Sequence, residues 1–195
     1  MSELTFHPLT AQRWDDFEQL FGPRGAYGGC WCMWWRLSRA EFEQNRAEGN
    51  RRAMKVIVDS GQVPGILAYL RGEPVGWCSV APRSEFASLN RSPVLKPIDA
   101  QPVWSVVCFF VEKRNEGKGI SKALIQGARQ YVASQGGELL EAYPTVPRGV
   151  GLLPPVSSFM GIQKSLASAG FVEVARASRA KSIMRYHVPR SRERR

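Results

Sequence analysis

Residues 103–124 read VWSVVCFFVEKRNEGKGISKAL. The stretch opens as an apolar run too continuous to alternate, which suits a strand buried on both faces. It turns polar at Glu112-Lys113-Arg114-Asn115-Glu116, passes Gly117 and Gly119, and enters Ile120-Ser121-Lys122-Ala123-Leu124-Ile125, the start of an amphipathic helix. A buried strand feeding a glycine-containing turn and then a helix N-terminus suits an anionic ligand. The first amides of a helix lack intrahelical acceptors, and the helix dipole favours negative charge there. Gly117 and Gly119 allow a tight turn and close approach of a ligand to the backbone. Arg114, Lys118 and Lys122 add charge suited to phosphates.

The glycine spacing separates several nucleotide-binding loops. A Walker loop requires Gly-x-x-x-x-Gly-Lys-Ser/Thr, but Lys118 is followed by Gly119 and the first glycine is missing. A Rossmann fingerprint requires a glycine where Lys122 stands. What remains is Arg114-x-x-Gly117-x-Gly119. This resembles the acyl-CoA pyrophosphate loop of the GNAT N-acetyltransferase superfamily, Gln/Arg-x-x-Gly-x-Gly/Ala. An ordinary strand-to-helix turn is the alternative reading of the same residues.

A chain of 195 residues fits one domain with a sizeable core, and 44% hydrophobic with 23% charged residues is ordinary for a globular protein. No apolar run approaches the roughly 20 residues of a membrane helix. The N-terminal MSELTFHPLT lacks the pattern of a signal peptide, so a cytoplasmic location is the default expectation. The four cysteines, Cys30, Cys32, Cys78 and Cys108, then read as reduced thiols. No metal site is expected, because no Cys-x-x-Cys pair occurs and the only histidines are His7 and His187. The net charge of +10 is partly local to the tail at 190–195, RSRERR, which reads as a basic, disordered extension of a domain spanning 1–189. Basic charge attracts CoA phosphates, acidic substrates or RNA alike. The absence of an aromatic-interleaved RNA motif argues against nucleic acid as the main partner.

Along the chain, Leu4–Leu9 reads as a strand and Ala11–Phe21 as a helix with Trp14, Phe17, Leu20 and Phe21 on one face. The segment Ala26-Tyr27-Gly28-Gly29-Cys30-Trp31-Cys32-Met33-Trp34-Trp35-Arg36 places three of six tryptophans within five positions. It reads as a packed cluster, as a wall of a small-molecule pocket, or as both. Redox chemistry at Cys30-Trp31-Cys32 is disfavoured, since no nearby base is evident. Ser38–Ser60 looks helical with an interruption at Gly49-Asn50. Ile66–Leu70 and Val75–Val80 form strands around a turn at 71–74. Arg83-Ser84-Glu85-Phe86 is a loop or short helix. A helix runs from Ile120 to about Ser134, a strand covers Glu138–Tyr143, a loop spans Thr145–Pro155, and a helix covers Ser157–Ser168. A closing hairpin pairs Phe171–Arg176 with Ser182–Val188.

This order predicts a single-domain mixed α/β sheet flanked by helices. It is the GNAT element order, with the acyl-CoA loop after the central strand, and the resemblance extends over nearly the whole chain. Ser168-Ala169-Gly170-Phe171 resembles the family's helix-Gly-Phe step. Gly29–Arg36 resembles a bacterial branch with a Cys-x-Cys-Met-x-x-Arg signature, which names no substrate.

The resemblance implies acetyl-CoA as cosubstrate and direct transfer to a small-molecule or peptide amine. It implicates Cys108, Phe109, Phe110 and Val111 for the pantetheine arm. It implicates Arg114, Asn115, Glu116, Gly117, Lys118, Gly119, Ile120 and Ser121 for the phosphates. A backbone amide near Phe110 or Val111 is the expected oxyanion donor. Some relatives carry a glutamate early on the central strand, where this chain has Val103-Trp104-Ser105. Many carry a tyrosine four residues before the Gly of the Gly-Phe step, where this chain has Leu166. Glu85 and Glu141 are then the candidate bases and Tyr143 the candidate acid. Tyr27, Trp31, Trp34, Trp35 and Arg36 are expected at the acceptor. A non-catalytic acyl-CoA-binding or sensing domain is the alternative function, and a homodimer is one option for its assembly.

Overall fold

The central run becomes β4 (Trp104–Val111), in a computed structural model that describes residues 4–146, 159–161 and 163–189. Both of its faces are covered, which is why it needs apolar residues at consecutive positions. Val106 joins the cluster under the long helix, Val107 joins a second cluster with Phe86 and Tyr143, and Phe110 packs against a third that contains Phe17, Phe21 and Trp77. β1 (Leu4–Pro8), β2 (Ile66–Leu70) and β3 (Glu73–Pro82) lie on one side of β4. β5 (Leu139–Ala142), β6 (Val172–Ser178) and β7 (Lys181–His187) complete a seven-stranded sheet in the order β1-β2-β3-β4-β5-β7-β6. Every neighbouring pair is antiparallel except β4 with β5. This is the expected single α/β domain.

Helices cover both faces. α1 (Trp14–Phe21) and α3 (Glu48–Asp59) sit with the 31–33 segment on one face. α5 (Ile120–Ser134) lies across the other, burying Ile120, Leu124, Ile125, Ala128 and Val132. α2 (Arg39–Gln44) and α4 (Ala87–Asn90) are short, as is α6 (Gln163–Ser168) within the described residues. Among those residues no helix is long and apolar enough to cross a membrane. The expected tail at 190–195, most of the 145–155 loop and the start of the Ser157–Ser168 helix lie outside the described residues.

Two boundaries differ from expectation. The helical stretch from 38 breaks at 45–47, and Gly49-Asn50 lies inside α3. Ala47 takes a left-handed φ of 63°, its amide donates to the Gly29 carbonyl at 3.1 Å, and Asn50 Nδ2 donates to that same carbonyl at 3.0 Å. The tertiary tie to the 25–29 turn thus places the break, overriding the local glycine signal. The β2–β3 connection is also tighter, with Arg71 and Gly72 both at positive φ (55° and 84°), so β3 begins at Glu73. Two successive left-handed residues match a two-residue hairpin turn, whose twist suits the flanking strands.

β4 pairs with β5 only over Trp104, Ser105 and Val106, while β4 itself runs on to Val111. β5 ends at Ala142, just before Pro144. A bulge at Val107, where Ser79 pairs with Cys108 but Val80 with Val106, falls where the two strands part. Beyond that point one edge of β4 has no strand partner among the described residues.

Gly65 sets how closely β2 enters against β3. A Cβ there would lie 2.3 Å from the Cys78 carbonyl oxygen and 2.7 Å from the Trp77 ring. Gly65→Ala is expected to lower stability by about 1–3 kcal/mol, since neither backbone nor ring can yield freely. Urea denaturation checks this, and an unchanged midpoint would refute the packing account.

Candidate active site

The loop after β4 is braced from within. Asn115 Nδ2 and Arg114 Nε both donate to Glu112 Oε2, at 3.0 and 2.7 Å, and Lys118 Nζ donates to Asn115 Oδ1 at 3.0 Å. Gly117 and Gly119 both adopt left-handed φ, 76° and 79°, and a Cβ at either would meet nothing within 4 Å. The glycines therefore serve backbone conformation, and the space above them is open. Gly119 is the N-cap of α5 and no side chain caps the helix. The amides of Ile120, Ser121 and Lys122 are thus presented to solvent or to an anion. The Ile120 side chain itself is buried, so only its backbone can serve a ligand.

The open edge of β4 supplies a second set of backbone groups. Glu112 N donates to Val75 O at 3.1 Å, so the paired residues Phe110 and Trp77, two positions along, also exchange their bonds across the ladder. The Phe110 amide is thereby spent on β3. The Phe109 and Val111 amides face the other way. Phe109 N donates to Phe159 O at 2.6 Å, which leaves Val111 of the two expected oxyanion donors.

Beside this edge lies a cavity of about 750 Å³. Tyr27, Trp34, Trp35, Cys108, Phe109 and Phe110 all line it, so the aromatic segment and the central strand meet at one place. Trp31 and Arg36 do not. Trp31 stacks on Phe21 at 5.7 Å within the core, at a left-handed φ of 45°. Arg36 is buried behind the wall, its guanidinium over the Phe86 ring at 4.5 Å, donating from Nη1 to Glu85 Oε2 at 3.1 Å and from Nη2 to Pro64 O. The predicted aromatic segment is therefore both core and cavity wall, divided residue by residue.

The three candidate catalytic side chains are placed apart from the cavity lining. Glu85 is held by Arg36 and keeps a quarter of its side-chain exposure. Glu141 is fully enclosed between two guanidiniums, accepting from Arg83 Nη1 at 3.0 Å and Arg185 Nε at 2.8 Å. Tyr143 donates to Glu141 Oε1 at 2.7 Å, accepts from Arg83 Nη1 at 2.8 Å and bonds Ser105 Oγ at 2.7 Å. Burial first, and then the Glu141 charge, push the Tyr143 phenol far above its ordinary pKa. Asp99 closes the network on Arg185, whose hydrogen bond holds the Asp99 carboxyl down at about 2. These six residues come from the end of β3, from β4, from β5 and just after it, from β7, and from the loop before β4, so no sequence spacing announces the network.

Cavity residues that sequence reasoning missed include Lys181, Thr145, Phe159 and Met160. Lys181 opens β7, and its Nζ donates to Thr145 Oγ1 at 3.0 Å and to Tyr143 O at 3.4 Å. Burial lowers its pKa. Cys30 and Cys32 line the cavity too, and all four cysteines are free thiols. Cys32 Sγ accepts the Trp77 indole N–H at 3.2 Å. A hydrogen bond from Cys108 is the largest of several contacts, with Trp77, Ser79 and the Arg36 charge, that pull the Cys32 pKa down to about 7. Burial and the neighbouring Cys32 push Cys30 up to about 11.

The comparisons with known proteins bear on the family and the fold. The model of the acetyltransferase (GNAT) family matches residues 31–148, more than half of the chain. The chain belongs to the GNAT acetyltransferase family. Solved GNAT-fold structures align along nearly its full length at low identity. A Desulfovibrio desulfuricans protein assigned to the GNAT family is 16% identical with a TM-score of 0.55, covering 96% of this chain and 100% of its own. An N-acetyltransferase from Staphylococcus aureus Mu50 is 10% identical with a TM-score of 0.55, covering 96% and 100%. The PaiA N-acetyltransferase from Thermoplasma acidophilum, solved in complex with coenzyme A, is 13% identical with a TM-score of 0.52, covering 95% and 99%. At such identities the likeness speaks for the fold alone. No curated protein matches the chain.

Two outcomes test this site in the GNAT chain. Removing the Glu141 charge leaves Arg83 buried beside a neutral amide and Arg185 with Asp99 alone, so Glu141→Gln is expected to cost about 3–5 kcal/mol in urea unfolding. Wild-type stability in that variant would remove the structural role. Cys32 is expected to react with a small haloacetamide as its thiolate forms, with a rate rising through about pH 7, while Cys30 rises only near 11. Peptide-mapped labelling across pH reads both.

Proposed function

We propose that this GNAT protein binds acetyl-CoA along the open edge of β4 and transfers its acetyl group directly to an amine seated in the aromatic cavity. The observation that carries the reading is the continuity of three features. The uncapped N-terminus of α5 and the Gly117–Gly119 turn face open space at one end of β4. The unpaired edge follows, and the cavity wall formed by Cys108, Phe109 and Phe110 ends the path. Coenzyme A in the PaiA relative is consistent with such a path.

In this reading the amides at 117–122, with Arg114, Lys118 and Lys122, hold the phosphates, and the outward groups of β4 hold the pantetheine arm. The bound thioester supplies the acyl carbon and a leaving group acidic enough to depart unassisted near neutral pH. The Val111 amide, which faces away from β3, is the donor this reading assigns to the oxyanion. Glu141 and Tyr143 we assign to positioning, since their polar atoms are occupied by Arg83, Arg185 and Ser105. Glu85, with some solvent access, is the carboxylate left to take a proton through water. A small-molecule or peptide amine is the acceptor.

Calorimetric titration with acetyl-CoA tests the donor half, and absence of binding at millimolar ligand sinks it. Gly119→Val, forced into a left-handed φ that a β-branched residue resists, is expected to raise KM for acetyl-CoA by about tenfold or more with the fold intact. Thiol release across an amine panel tests the catalytic half. A non-catalytic binding domain would bind acetyl-CoA and release no thiol with any amine.

A further inference from the structure

The described residues lining the cavity carry a one-sided set of charges. No aspartate or glutamate is among them. Two cations do line the cavity, Arg46 and Lys181. Arg46 is already answered by Glu43, at 2.5 Å on the exposed surface of α2 and its end. Lys181 is different: its Nζ contacts are the neutral acceptors Thr145 Oγ1, Tyr143 O and Met160 Sδ, with no carboxylate among them. The donor-phosphate residues 114–119 are not part of the cavity wall, so they do not explain this lysine. The one group that gains negative charge near neutral pH is Cys32, and Arg36, Trp77 and Cys108 already answer it. The rest of the wall is aromatic, with Tyr27, Trp34, Trp35, Phe109, Phe110 and Phe159 prominent.

Two of these features select against an ordinary alkylammonium. Such a cation would meet no carboxylate among the described lining residues and a lysine of the same sign, and a cation–π contact with the aromatic walls offsets only part of the lost hydration. An amine that is neutral at physiological pH avoids this cost. An aromatic amine is neutral because its lone pair is delocalised into the ring, and the same ring fits the aromatic walls. The unanswered Lys181 ammonium calls for an anion, which would also restore the charged form that burial now disfavours.

We infer that the acceptor is an aromatic amine bearing a carboxylate or similar anionic group, with the ring between the aromatic walls and the anion on Lys181. This rests on the acyl-transfer reading above. The reaction balances simply: the neutral nitrogen attacks the thioester carbonyl, the new C–N bond replaces the C–S bond, the proton passes from nitrogen to water, and the CoA thiolate leaves. No base is needed to generate the nucleophile before attack, which fits a cavity with no carboxylate among its described lining residues.

The test uses the full chain, acetyl-CoA and four acceptors: 4-aminobenzoate, aniline, phenylalanine and phenethylamine, with thiol release as readout. 4-Aminobenzoate is expected to exceed each of the others in kcat/KM by about tenfold or more, the size of a charge-assisted contact or of an avoided charge burial. In Lys181→Met the ratio of 4-aminobenzoate to aniline is expected to fall by about tenfold, and Lys181→Arg is expected to retain it. A preference for phenethylamine or phenylalanine, or an unchanged ratio in Lys181→Met, overturns the inference while acetyl transfer stands. Acetyl-CoA binding with no turnover of any of the four also overturns it and leaves the donor site standing. No acetyl-CoA binding overturns both.

Discussion

A backbone amide on a buried strand edge must find an acceptor, and β4 loses its parallel neighbour after Val106. From that residue onward the strand's outward groups depend on something other than the sheet. Here the Phe159 carbonyl takes the Phe109 amide, and the remaining edge stays available. The split follows from simple causes: β5 is only four residues long, Pro144 follows it closely, and the bulge at Val107 turns β4 at the same place. Because β4 then leads into an uncapped helix, the unsatisfied edge and the unsatisfied helix N-terminus lie along one path.

Keeping two strands apart requires that the sheet be held firmly elsewhere. The Glu141 network does this at the root of the split, joining β5 to the end of β3 through Arg83, to β4 through Tyr143 and Ser105, and to β7 through Arg185. Each charge is enclosed only because each has a partner. Removing one leaves another buried and unpaired, which is far more costly than the net worth of the intact set. A second pair, Arg36 with Glu85, holds the aromatic segment to the turn after β3. The aromatic segment accordingly serves two ends: Trp31 and Met33 fill the core on the α1 face, while Trp34 and Trp35 lie against the cavity.

Much of this was legible in the residues. The unalternating run at 103–111 announced a doubly buried strand, the Gly117–Gly119 spacing excluded the Walker and Rossmann loops, and the periodicity after it marked a helix to about Ser134, where α5 ends. The helix break at 45–47 was not legible, because Ala47 takes its left-handed conformation from a bond to Gly29, distant in sequence. Glu141 and Tyr143 were recognisable as polar residues of a short strand, but their burial and their occupation by Arg83, Arg185 and Ser105 were not. Those partners are brought together by sheet order, with β7 inserted between β5 and β6.

The sequence by itself determined the fold class, the position of the glycine turn between β4 and α5 and the existence of an aromatic cluster, since these depend on local periodicity and on glycines that govern nearby backbone. Only the tertiary structure decided which aromatics face a cavity, which carboxylates are already neutralised and that Lys181 meets neutral acceptors, with no acidic partner among the described residues. Those properties belong to pairs of residues from different strands. Their spacing is set by how the sheet is threaded and where it splits, and no single segment of chain carries that information.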